Sequence, residues 1–139
     1  MTNSAAVAKT KVIGYWTTTA VLVFAIGSGG LGKLAHLRNN VEGIVHLGYP
    51  LYVITIIAFW KALGAITLLA PDFPRLKEWA YVGIFFNMTG VAASHAVCAD
   101  ATWHVVVTVA FAILTVVSWA LRPQSRTLGA LFPGKTASP

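Results

Sequence analysis

Four apolar stretches, each long enough to cross a bilayer as a helix, dominate this chain. They cover residues 12–32, 49–70, 79–97 and 103–121 of a 139-residue sequence. A membrane-spanning helix needs about 20 mostly apolar residues, and inside lipid the backbone polar groups find partners only in helices or closed barrels. Hydrophobic residues make up 57% of the sequence and charged residues only 10%, which excludes an ordinary soluble domain. The sequence therefore predicts an all-α integral membrane protein.

The lengths of the connections predict how these helices are arranged. The middle connection at 71–77 and the last one at 98–102 are too short to join anything but antiparallel neighbours, which predicts an up-down-up-down four-helix bundle. The first connection, 33–48, is long enough to fold over the mouth of the bundle. We predict one domain at 1–123 and a flexible tail at 124–139, which lacks an apolar period.

The basic residues predict the orientation. Seven of them precede helix one, separate helices two and three or follow helix four: Lys9, Lys11, Arg75, Lys77, Arg122, Arg126 and Lys135. The opposite side has only Lys33 and Arg38. By the positive-inside rule, both termini and the middle connection are predicted to be cytoplasmic in a multi-pass protein of the inner membrane. Because the basic residues stand at helix ends and form no face, the net charge of +6 does not indicate nucleic-acid binding.

A glycine-rich run closes the first apolar stretch. Residues 27–32 (GSGGLG) match the spacing of a dinucleotide-binding loop, but that loop needs a preceding strand and a following helix N-terminus. We interpret the glycines as residues that loosen or end helix one, or that allow another helix to approach closely.

Lys61 interrupts the second apolar stretch. A rise of about 1.5 Å per residue places it roughly 18 Å from the outer end of helix two, near the membrane midplane, and Asn87 of helix three at the same depth. A lysine there costs on the order of 2.5–3.5 kcal/mol, so it is expected to face the bundle and to have a partner. Small residues on both helices, such as Ala58 and Gly83, predict that helices two and three pack closely, with Lys61 near Asn87.

A second polar group is expected nearer the outer surface. It comprises His95 and Ser94 of helix three, His46 before helix two, His104 of helix four and Glu42 in the first connection, with Asp100 and Ser28 nearby. These residues would form a polar mouth leading down to the lysine, as in a small-molecule pocket entered from outside or from the outer leaflet. Each also has a structural explanation, since polar residues hold helix bundles together and interfacial histidines are common.

Haem and metal ions are disfavoured as ligands. Two histidines that face each other could hold a haem iron. The sequence has no C-x-x-C-H attachment motif, however, and gives no reason for His95 and His104 to face one another. We therefore predict no metal site.

Several segments resemble the DoxX-like family of small four-helix membrane proteins. In order along the chain they are HLGYP at 46–50, KALGAITLLAP at 61–71, FPRLKEWAYVG at 73–83, SH at 94–95 and WALRP at 119–123. The resemblance implies the same four-helix bundle and singles out Lys61, Glu78, Ser94 and His95 as retained motif positions. The family includes a thiosulfate:quinone oxidoreductase subunit, members of oxidative-stress complexes and receptor-assembly chaperones. With one cysteine and no cofactor motif, this chain gives no basis for predicting sulfur oxidation.

Glu78 also has a structural explanation. A carboxylate in the first turn of a helix interacts favourably with the helix dipole, and Arg75 and Lys77 are close enough in sequence to pair with it. The sequence leaves the roles of Glu78 and His104 open.

The leading functional hypothesis is a pocket between helices two and three, covered by the first connection, that binds a small amphiphile such as a quinone. Lys61 would donate to a carbonyl or anionic oxygen, and His95 would exchange the proton that accompanies reduction. The expected ligand-binding residues are Asn87, Ser94, His46, Glu42 and Trp60.

The alternative hypothesis is a non-catalytic scaffold or assembly factor. Its stripes of small residues would dock partner membrane proteins, including a redox enzyme or further copies of the chain. The sequence does not decide whether the protein catalyses a reaction, nor whether it self-associates.

Overall fold

The computed structural model describes residues 2–35 and 38–127, with side chains at 6–35, 41–123 and 125–127, and over these residues the protein is all-helical. The helices are α1 (Thr2–Leu34), α2 (Arg38–His46), α3 (Leu51–Leu69), α4 (Pro74–Val97) and α5 (Thr102–Ala120), followed by a 3₁₀ turn at Gln124–Arg126. Within the described chain, α1, α3 and α5 are long and apolar enough to cross a membrane. The prediction of an all-α membrane protein is confirmed. The 24-residue α4 is also long, but polar residues interrupt its apolar stretch.

Helix one is longer than predicted at both ends. It starts before Lys9 and Lys11, and it continues through the glycine run to Leu34. The glycines therefore do not end this helix, because the residues on both sides of each glycine are helical.

The first connection contains a helix that was not predicted from the sequence. In α2, Val41, Ile44 and Val45 have the i, i+3, i+4 spacing of an amphipathic helix, and Ile44 is buried. The stretch is too polar and too short to resemble a membrane span, so its apolar stripe gave only a weak signal. His36, which belongs to the same connection, lies outside the described residues.

The start of the predicted tail is ordered. Arg126, in the 3₁₀ turn, donates hydrogen bonds to the Leu68 carbonyl (3.1 Å) and to the Tyr15 hydroxyl (3.4 Å), and its guanidinium lies 4.7 Å from the ring of Trp16. Residues 128–139, which make up most of the predicted tail and include Lys135, lie outside the described residues.

The four long helices pack in the cyclic order α1, α3, α4, α5. Contacts are most extensive between α1 and α3 and between α4 and α5, while α3 and α4 touch less extensively. Leu22 and Ile26 of α1, Leu68 of α3, and Tyr81 and Ile84 of α4 form the buried apolar core. The short α2 lies against α1 and α3.

We call the end of the molecule where α3 finishes and α4 begins the arginine end. There Glu78 accepts hydrogen bonds from Arg122 (2.7 Å) and from the Trp119 indole (2.8 Å), and the buried Arg122 guanidinium lies 5.1 Å over the Tyr81 ring. Glu78 thus joins α4 to α5. The structural explanation predicted for Glu78 is wrong in both parts. Because α4 begins at Pro74, Glu78 lies beyond the first turn, and its partners are neither Arg75 nor Lys77. Lys77 instead donates to the Ala70 and Asp72 carbonyls at the end of α3.

Gly30 brings α1 and α3 into close contact. A Cβ atom at this position would lie 3.2 Å from the Lys61 Cβ and 3.4 Å from the Ala58 carbonyl oxygen. At Gly29 no such neighbour lies within 4 Å. Close helix approach through a glycine, one of the interpretations of the glycine run, is therefore observed at Gly30.

We expect Gly30→Leu to destabilise the protein by about 1–3 kcal/mol, because the added side chain forces the two helices apart. Gly29→Leu is the matched control, and it should leave stability unchanged or raise it by up to about 1 kcal/mol through better helix propensity. Thermal unfolding of both variants in mild detergent measures the difference. Equal midpoints for the two variants would contradict the packing described here.

Candidate functional site

A groove with a volume of about 460 Å³ lies between α3 and α4. Ile26 and Ile84, both buried, form its floor. Trp60 and Leu63 of α3 and Trp79 of α4 form its rim, and 63%, 42% and 80% of these residues' surfaces are exposed. Because exposed apolar residues line the rim, the groove opens sideways onto the surface that faces lipid.

Two polar side chains in this groove have no partner of their own. The Asn87 Oδ1 atom is buried and accepts no hydrogen bond in the described part of the chain. The half-buried Lys61 makes no hydrogen bond or ion pair there either. Buried polar groups normally have partners, so the groove offers one donor and one acceptor to a polar head group. Lys61 and Asn87 were expected to lie close together. Both line the same groove, but they are not hydrogen-bonded to each other.

Two glycines, one on α3 and one on α4, leave open space between these helices and do not bring them into close contact. A Cβ atom added at Gly83 would meet no neighbour within 4 Å, and at Gly64 the nearest atoms would be those of Ile84 at 3.9 Å. Both glycines line the groove. The predicted close packing is found between α1 and α3, where Ala58 is fully buried near Gly30.

A second cluster occupies the opposite end of the molecule, which we call the histidine end. Asp100 Oδ1 accepts a hydrogen bond from His46 Nε2, and Asp100 Oδ2 accepts one from His95 Nδ1, both at 2.6 Å. Hydrogen bonds from His95 and, next, from His46 hold the pKa of Asp100 below its ordinary value. An ionised carboxylate only accepts, so the two histidines carry their protons on these nitrogens.

The turn that ends α4 places Asp100 beside His95. Ala99 adopts a left-handed conformation (φ 53°), and the Asp100 amide donates to the His95 carbonyl at 3.0 Å. This pattern is a Schellman motif, which folds the chain back over the last helical turn. Asp100 was not among the predicted site residues. Its position five residues after His95, just past a helix end, was the available signal.

The residues predicted for one pocket are divided between two places. Lys61, Asn87 and Trp60 line the groove. His46, His95 and Ser94 lie at the histidine end, where Ser94 Oγ is 2.8 Å from the Tyr49 hydroxyl. Glu42 lies on the exposed side of α2. None of these last four predicted residues lines the groove.

His95 is too distant from the groove to touch a ligand held by Lys61. Eight residues of α4 separate it from Asn87, which corresponds to about 12 Å along the helix. The groove is lined by residues 56–67 of α3 and 76–88 of α4, so it extends from the middle of the molecule toward the arginine end. It does not continue into the polar mouth expected at the histidine end.

His95 and His104 do face each other, but as stacked rings. Their centroids are 5.1 Å apart and the ring planes differ by 15°. The nitrogen lone pairs of an imidazole lie in the ring plane, so stacked rings do not direct two nitrogens at one iron atom between them. Among the described residues, no three His, Cys, Asp or Glu side chains meet as a metal-binding group.

These helices define a small, multi-span α-helical membrane protein with a sideways-opening groove. Within that class the chain belongs to the DoxX-like family, whose family model matches residues 17–118. The match runs from α1 into α5 and therefore covers both the groove and the histidine end. No curated protein and no solved structure matches the chain.

We expect Asp100→Asn to lower stability at neutral pH, because an amide cannot accept from both histidines as a carboxylate does. The folded pKa of Asp100 is depressed, so its contribution is present above the unfolded value of about 3.9 and is lost as pH falls through the folded pKa. Thermal unfolding against pH should show the two proteins converging at acidic pH. A stability difference that persists unchanged to the lowest pH would contradict this assignment.

Proposed function

We propose that α1, α3, α4 and α5 cross the cytoplasmic membrane as an antiparallel four-helix bundle. Both termini and the connection between α3 and α4 would then be cytoplasmic, and residues 1–123 would form the domain. Arg75, Lys77, Arg122 and Arg126 at the arginine end support this orientation through the positive-inside rule.

This topology predicts opposite labelling of the two ends. In a Cys98→Ser background, Ala101→Cys and Ser125→Cys each introduce one exposed thiol, at the histidine end and at the arginine end respectively. A membrane-impermeant maleimide should label the first variant in intact spheroplasts and the second only after permeabilisation. The reverse pattern would invert the topology.

We further propose that the protein binds a lipid-soluble small molecule in the groove between α3 and α4. The observation that carries this proposal is the pair of unpartnered polar groups, the Lys61 ammonium and Asn87 Oδ1, inside an otherwise apolar groove. Apolar walls with a few convergent polar groups are typical of small-molecule sites, and the volume falls in the usual range of about 300–1,000 Å³.

A quinone is one candidate for this ligand. Its carbonyl oxygen would accept from Lys61, and the hydroxyl of its reduced form would donate to Asn87. The apolar ring and tail would lie against Trp60, Ile84 and Trp79. Because His95 lies outside the groove, the geometry supports binding, and any proton exchange with His95 would need a further carrier such as water.

We expect an organic extract of the detergent-purified protein to contain a molecule that is at least about tenfold depleted in Lys61→Met and Gly83→Leu. Lys61→Met removes the charged donor, and a leucine at position 83 fills space that is open in the groove. Gly90→Leu is the matched control, since position 90 lies on the same helix, also has open space around it and does not line the groove. Mass spectrometry of the extracts measures the depletion.

The same variants test the alternative function as a scaffold. If the protein is a scaffold, extracts of the wild type and of every variant should contain no bound molecule. Gly90→Leu should then lose association with a partner protein or with another copy of the chain, because the leucine covers the small exposed surface at position 90. Under that outcome Lys61→Met would behave like the wild type, and the binding proposal would be abandoned.

A further inference from the structure

Lys61 and Lys33 form a positively charged region without a carboxylate. Lys33 lies on α1 one turn beyond Gly30, the residue that contacts Lys61, and the two lysines are close enough to repel each other electrostatically. Neither makes an ion pair or hydrogen bond with a described residue.

The acidic residues near the ends of the helices are engaged elsewhere. The sequence has only four of them. Glu78 pairs with Arg122, and Asp100 binds His46 and His95. Asp72 is exposed beyond the end of α3, and Glu42, exposed on α2, has an interaction of its own. No carboxylate in the described chain therefore balances the charge in the groove.

The two lysines differ in how well their helices accommodate them. Lys33 stands in the last turn of α1, where the helix dipole favours a cation. Lys61 lies in the middle of α3, where that compensation is absent. Intramembrane cations usually pair with an anion or with backbone carbonyls, and no described carbonyl accepts from Lys61. A charge-assisted hydrogen bond to an anion is roughly twice as strong as a neutral one.

We propose that the ligand of the groove is a single-chain amphiphile with an anionic head group, such as a long-chain carboxylate, and that its head group pairs with Lys61. Lys33 adds to the positive potential at the head group, and Asn87 adjoins it. The first part of the chain lies along the apolar part of the groove toward Trp79, and the rest leaves through the sideways opening. This inference rests on the proposed binding function and narrows its ligand class.

The groove can hold the head group and the first carbons of such a chain, and the rest of the chain would extend through the sideways opening toward lipid. Its lining spans residues 56–67 of α3, which corresponds to about 16 Å along the helix. Lys61 lies near the middle of this lining, and Asn87, Ile57 and Met88 line the part nearer the histidine end. The part nearer the arginine end is lined mainly by Leu76, Trp79 and Thr67. The Thr67 hydroxyl already donates to the Leu63 carbonyl (2.8 Å). The lining therefore offers charge near its middle and mainly apolar surface toward the arginine end.

Stearate and methyl stearate test the inference, because they share a chain and differ in head-group charge. Native mass spectrometry of the full-length protein in a neutral detergent, at neutral pH, would count bound molecules across a titration with each probe. We expect the wild type to bind stearate roughly tenfold more tightly than the ester, and Lys61→Met to remove that preference. Lys11→Met, which removes an exposed charge of α1 far from the groove, should keep it.

The outcomes separate the two proposals. Equal binding of acid and ester by the wild type would overturn the anionic head group. If Gly83→Leu then abolished binding of both probes while Gly90→Leu did not, the groove would still be the binding site. Binding of neither probe, or binding unaffected by Gly83→Leu, would overturn the inference together with the groove as a binding site for such amphiphiles. The wild-type comparison decides the head-group question even if Lys61→Met fails to fold.

Discussion

The contact of Gly30 with the backbone of α3 determines how the remaining helices are placed. It allows α1 and α3 to approach without an intervening side chain, and it positions Lys61 beside that contact. Because α1 also packs against α5, and α5 against α4, α3 is held mainly by α1. The less extensive contact between α3 and α4 leaves the groove between them. The groove therefore arises because α3 packs more closely against α1 than against α4.

Polar interactions fix the walls of the groove at both ends. At the arginine end, Lys77 of α4 binds carbonyls at the end of α3, and Glu78 pairs with Arg122. At the histidine end, Asp100 joins the end of α4 to His46 of α2, which lies against α3. These interactions lie outside the apolar middle of the molecule. The middle can therefore stay open toward lipid while its two walls keep their positions.

The sequence was sufficient for the class of protein because lipid permits few backbone arrangements, and the apolar stretches mark the helices directly. It was also sufficient to predict that Lys61 and Asn87 lie in the same part of the molecule, where both line the groove. It could not predict that Ala58 faces α1 while Gly64 and Gly83 line a groove, because small residues serve close packing and open space equally well. Asp100 was expected near the histidines, but its role as their shared acceptor was not predicted for a related reason. That role depends on a left-handed turn at Ala99, a residue type that gives no sign of this conformation.

Lys61 cannot be explained as a residue that merely extends to the membrane surface. In α3 it is ten residues from Leu51 and eight from Leu69, or about 15 and 12 Å along the axis, farther than its four-carbon stem reaches. Replacing a buried charge by an apolar residue is often neutral or stabilising, so an uncompensated lysine there is a local cost to the fold. Such costs concentrate at functional sites. The proposed anionic ligand would remove this cost in the bound state, so a lysine that disfavours the empty groove would favour the occupied one.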